Sequence, residues 1–181
     1  ISEEELVALI ESHAEARALQ RFDLCPGVEE IIREGSKAGL WIAVVSNNQV
    51  SDIRSILEPT GLMNLVDALI GLEQSGGVPK PEPDIYLEAV KAASLSAHEC
   101  VAVEDSVIGA SAAKAAGCWV VGVATGSSSF EELSSSGMTD VTITRFSPPQ
   151  VDLFGEDPRE KSLTTPNEFV SHMIEHILWR T

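Results

Sequence analysis

The chain has 181 residues, 44% of them hydrophobic and 22% charged, with a formal net charge of −16. These are the proportions of a globular protein, and no apolar run approaches the roughly 20 residues of a membrane-crossing helix. So acidic a surface repels phosphodiester backbones and anionic lipid, which argues against nucleic-acid and membrane partners.

The first residues, Ile1 to Glu5, are too acidic for a signal peptide. The chain starts at Ile1 and not at a Met, as a partial chain would. Cys25, Cys100 and Cys118 show no CxxC spacing. Their odd, sparse count fits a reducing compartment, so a cytoplasmic location is expected. Cys100 and Cys118 open apolar runs and read as core thiols.

Ser2 followed by Glu5 forms a capping box for a helix to about Leu19, with Leu6, Leu9 and Ile10 at helical spacing. Pro26-Gly27 breaks the chain. Val28 to Ala38 is an amphipathic helix stopped by Gly39. The run Leu40–Val45, rich in β-branched residues, predicts a strand buried on both faces, as in a parallel sheet. It ends in Ser46-Asn47-Asn48. A helix over Val50–Leu57 follows, then a short strand at 67–71. Residues 76–83 form a Gly/Pro-rich loop. Asp84 is expected to cap a helix to Ala93. Cys100–Val103 is a further strand, ending in Glu104-Asp105-Ser106, and a helix over Val107–Ala116 stops at Gly117. Trp119–Val123 is a strand, Thr125–Ser129 a Gly/Ser-rich loop, Phe130–Ser135 a helix and Val141–Ile143 a last strand. After Pro148-Pro149 the composition turns polar. The stretch 152–166 reads as irregular, and Asn167 caps a terminal helix to about Trp179. On that helix His172 and His176 stand one turn apart, with no third metal ligand evident. Strands alternating with helices make a Rossmann-like, doubly wound α/β sheet, with ligands expected where the strands end.

Three of those strand ends and connections carry chemistry. Ser46 and Asn47 put small donors at a helix N-terminus, where free backbone N–H groups favour an anion. Lys80, framed by Pro79, Pro81 and Pro83, is a cation on a stiffened loop that could neutralise a phosphoryl group. Glu104 and Asp105 are adjacent carboxylates on a turn out of a buried strand, an arrangement suited to Mg²⁺. Each taken alone is also an ordinary cap, a solvated lysine or a helix N-cap.

In this order the segments Pro26-Gly27-Val28, Val44–Asn48, Lys80–Tyr86 and Val103–Ser106, with Gly109 and Ala115-Ala116-Gly117, resemble the haloacid dehalogenase superfamily. The likeness is to its phosphoglycolate phosphatase and β-phosphoglucomutase-like group. The resemblance implies Ser46 and Lys80 as catalytic residues, with Ser46, Asn47 and Lys80 holding phosphate. Asn47 would act through its backbone N–H. Asp105 would bind Mg²⁺, with Glu104 as a direct or water-mediated second ligand. It further implies a small phosphorylated metabolite as substrate; a monomer or homodimer is expected. The expected reaction is phosphatase chemistry through an aspartyl-phosphate, or phosphomutase chemistry on the same core.

The family's first motif, DxDx[TV], is not found in the sequence. Its nearest imitation, Phe22-Asp23-Leu24-Cys25, has Cys25 where the second Asp belongs, and no apolar strand precedes it. The expected division is therefore residues 1–24 as remnant of a helical cap, 25–150 as a core lacking its first strand, and 151–181 as an extension with a terminal helix. Between Ile42–Val45 and Val101–Val103 a gap or rearranged pairing is expected. A non-catalytic relic or regulatory module is the rival reading.

Overall fold

The computed structural model describes residues 24–147 and 150–153, together with Ser2 and Glu5. Ser2 and Glu5 make both bonds of the capping box, at 2.7 and 3.1 Å. The rest of that helix, Asp23, the terminal helix and its two histidines lie outside the described residues.

Helix α1 spans Val28–Lys37 and buries Ile32 and Gly35. Strand β1 covers only Ala43–Val45, three residues shorter than the apolar run. The reason lies in its lead-in. Leu40 N–H closes onto the Gly35 carbonyl at the end of α1, and Ile42 N–H donates to the Asp67 carboxylate at 2.8 Å. Helix α2 (Val50–Leu57) leads through two 3-10 turns to β2 (Ala68–Ile70). Helix α3 spans Asp84–Ala93. Asp84 does not cap it. Pro83 holds the cap position, and its carbonyl receives the Tyr86 and Leu87 N–H groups, so Asp84 is the first helical residue. Strand β3 (Val101–Glu104), helix α4 (Val107–Ala116), strand β4 (Trp119–Val123) and helix α5 (Phe130–Ser135) follow in the expected places.

The last strand differs from expectation. β5 runs Val141–Ser147 and turns back as β6, Gln150–Leu153, paired antiparallel to it. Ile143 and Phe146 are buried, which draws the strand past the point where its β-branched run ends. The domain limit expected at 150 thus falls at the first residue of β6.

The architecture is α/β with parallel pairing, in two pieces. β1 pairs with β2, and a second sheet runs β3-β4-β5-β6. Along β4 every residue is buried because the sheet is covered on both faces. Val120 joins Ile85, Tyr86, Ala89, Ala102 and Ala110, Ala112, Ala113 and Ala116 of α4 on one side. Trp119, Val121 and Val123 join Ile143, Phe146 and Ile31 on the other. Among the described residues no strand pairs with both β1 and β3, where a gap or a rearranged pairing is expected from the sequence.

The sides of β1 and β3 that face away from β2 and β4 can be assigned. Ile42 O and Ser46 N–H bond to the β2 side, and Cys100 O receives Trp119 N–H. In a parallel strand alternate residues address opposite neighbours. Residues 43 and 45 of β1 and 101 and 103 of β3 therefore direct their backbone groups away from β2 and β4.

Candidate active site

The C-terminal ends of β1, β3 and β4 open on one cavity of about 400 Å³, lined among others by Cys25, Ser46, Asn47, Lys80, Glu104, Asp105 and Thr125. All five residues singled out from the sequence meet there.

The loop after β1 is held from three sides. Ser46 N–H stays on β2 through the Ile70 carbonyl, and Ser46 Oγ accepts Asn48 N–H at 3.1 Å. The hydroxyl proton of Ser46 is thereby left to donate. Glu73 accepts the Val50 N–H at 2.9 Å, so a carboxylate from the loop after β2 caps α2. Asn47 spends its side-chain oxygen on the Lys80 backbone N–H, 2.9 Å. That bond ties the donor loop to the lysine loop.

Lys80, preceding a cis peptide to Pro81, turns its ammonium inward. Nζ donates to the Val45 carbonyl at 3.1 Å and to Glu104 Oε1 at 2.5 Å. Both side chains of this ion pair are about nine-tenths buried. Glu104 is gripped further by Tyr86, whose hydroxyl donates to the same oxygen. Burial first, then the charge of Glu104 and the hydrogen bond to it, push the Tyr86 hydroxyl well above the usual tyrosine range. Tyr86 therefore keeps its proton and acts as a donor. Behind Glu104 there is no room for a Cβ at Gly109, where it would overlap the carboxylate.

Asp105 is different in kind. It is exposed and makes no ion pair among the described residues. Its carboxylate lies over Gly126, where a side chain would collide with it. The 125–129 loop is pinned by Ser128, which donates its N–H to the Asp105 carbonyl at 3.3 Å and accepts Val107 N–H on Oγ at 3.1 Å.

This donor set fits a hard divalent cation. Asp105 supplies a free carboxylate at the cavity, and Glu104 stands beside it already balanced by Lys80. Among the described residues no three acidic, His or Cys side chains cluster into a closed cage. An ion held here would keep several waters, as Mg²⁺ does, and Asp105 and Glu104 are the residues that would hold it.

Two contributors escape a reading of the sequence. Tyr86 closes the Lys80–Tyr86 segment but has no role assigned by it. The 125–129 loop reads only as Gly/Ser-rich, yet it carries Thr125 into the cavity and clears space for Asp105. Cys25 also lines the cavity.

A model of the haloacid dehalogenase-like hydrolase family matches residues 2–117. The bifunctional riboflavin kinase/FMN phosphatase of Arabidopsis thaliana is 37% identical over 100 residues, 54% of this chain and 26% of that protein. The β-phosphoglucomutase of Bacillus subtilis is 29% identical over 115 residues, 58% of this chain and 45% of that protein. The chain thus spans less than half the length of either. Among solved structures, CbbY from Rhodobacter sphaeroides in complex with xylulose-(1,5)bisphosphate superposes with a TM-score of 0.64 at 25% identity, over 72% of this chain and 58% of that one.

Proposed function

The chain belongs to the haloacid dehalogenase-like hydrolases, and from that premise we propose that it forms the phosphoryl-handling core of a Mg²⁺-dependent phosphatase for a small phosphorylated metabolite. The observation that carries this reading is the convergence of Ser46, Asn47, Lys80 and Asp105 on one cavity. Hydroxyl, backbone N–H and ammonium surround the place for the phosphoryl oxygens, and positioning with electrostatic stabilisation is most of what phosphoryl transfer asks of a protein. Mg²⁺ on Asp105 would neutralise charge on the transferring group. The Ser46 O–H donates a hydrogen bond to a phosphoryl oxygen, the Asn47 N–H donates to another, and Lys80 offsets the charge that the acidic surface would repel. The reaction is transfer to an aspartate and hydrolysis of the acyl phosphate by water. That aspartate belongs on a strand completing the sheet between β1 and β3, whose ends flank the cavity.

The test is hydrolysis of p-nitrophenyl phosphate with Mg²⁺, by this chain and by the protein in its full-length context. We expect turnover in the full-length context, abolished by Asp105→Ala. Turnover by this chain alone would place the nucleophile within it. An inert full-length protein would favour the non-catalytic relic. The likeness to a β-phosphoglucomutase favours a second reading, a phosphomutase. Such an enzyme returns the phosphoryl group to a second hydroxyl of its sugar and releases little inorganic phosphate.

A further inference from the structure

Tyr86 touches both members of the buried ion pair, an arrangement the roles above do not use. It stands in the first turn of α3 and is 7% exposed. Its hydroxyl donates to Glu104 Oε1, the oxygen that Lys80 Nζ also reaches. Its ring lies under the same ammonium, with Nζ 4.9 Å from the centroid. One carboxylate oxygen thus serves two donors, and one tyrosine contacts anion and cation together.

A phosphoryl dianion in the cavity must compete with Glu104 for Lys80. If the ammonium turned outward and nothing else held Oε1, a buried carboxylate would lose its partners, which is strongly unfavourable. The tyrosine hydroxyl stays on Oε1 whichever way the lysine turns, and the ring remains a favourable neighbour for the cation. We propose that Tyr86 is a positioning residue: by holding Glu104 in place, it lets Lys80 be shared between that carboxylate and a bound phosphoryl group. The inference rests on the reading of Lys80 as a phosphoryl-binding residue. Phenylalanine at this position would keep the ring and lose the hydroxyl, so Lys80 would become the last donor on Glu104 Oε1 and would be released to an anion less readily.

The experiment titrates the full chain with inorganic phosphate by calorimetry, without metal, for the native protein, Lys80→Ala, Tyr86→Phe, Glu104→Gln and the Tyr86→Phe/Glu104→Gln pair. A hydrogen bond to a charged group sets the scale, so Tyr86→Phe should weaken phosphate binding about 10-fold. In the Glu104→Gln background the same change should matter less than about 2-fold, because no charge then competes for the lysine. A merely structural role for Tyr86 gives equal effects in both backgrounds and overturns the proposal alone. Native binding that Lys80→Ala leaves unchanged, or no native binding, overturns the reading of Lys80 and the proposal with it. In the native chain, labelled at lysine Cε, the Lys80 protons should lie upfield over the Tyr86 ring and move as phosphate is added. A Lys80 signal that ignores phosphate also overturns the proposal.

Discussion

Lys80 and Glu104 form an ion pair with side chains 10% and 8% exposed. Such a pair is weak evidence for stability, since the desolvation of two charges consumes most of the attraction. Its energetics are asymmetric. Lys80→Met leaves a buried carboxylate with only the Tyr86 hydroxyl, and we expect a loss of about 3 kcal/mol in urea unfolding. Adding Glu104→Gln removes the orphaned charge and should restore most of that loss, while phosphate affinity stays low. A single substitution costing under about 0.5 kcal/mol would mean that water already reaches the pair, as at surface sites. At this scale the sequence was informative where chemistry coincides with a strand end. Ser46, Glu104 and Asp105 each follow an apolar run, and Lys80 is marked by its prolines. Tyr86 has no such mark. A tyrosine on an amphipathic helix reads as core, and the partner of its hydroxyl lies 18 residues away at the end of β3.

The N-terminus of α4 is the element on which the carboxylate end of the site depends. Ser106 Oγ accepts Gly109 N–H at 3.0 Å, and Val107 N–H is taken by Ser128, so two of the donors exposed at a helix start are satisfied from either side of Asp105. Ser106→Ala should cost about 1 kcal/mol, and Ser106→Gly only a few tenths. Thermal unfolding of the two variants measures the difference; equal losses would show that the side-chain bond contributes nothing and that backbone conformation alone sets the cap. Elements with such punctuation were legible from sequence to within a residue. The helices at 50–57, 107–116 and 130–135 match their spacing, and Gly117 stops α4 at φ 94. Where the sequence misled, tertiary contacts overrode local pattern. The Asp67 carboxylate takes the lead-in to β1 out of the ladder. β6 exists because β5 offers it an edge, which no local signal after Pro148-Pro149 announces.

At the scale of the whole molecule, the unusual feature among the described residues is a sheet in two pieces. Unpaired backbone groups in a buried setting are costly, and Val103, in the middle of an apolar strand, is 41% exposed. The alternation of backbone directions makes a residue-specific prediction. Amides of Ala43, Val45, Val101 and Val103 face the gap and should exchange with solvent much faster than those of Val44, Ala102 and Glu104, which bond to β2 and β4. Hydrogen exchange followed by NMR on this chain measures the contrast directly. Were a parallel strand inserted between β1 and β3, the same four amides should slow to the rate of their neighbours, because it would bond to both edges at once. Fast exchange of all seven would mean that β1 and β3 open independently of the gap. Slow exchange of the four in this chain alone would mean that another of its segments already closes the sheet. The aspartate would then have no strand to arrive on between β1 and β3, and the cavity would have to find its nucleophile among residues it already contains.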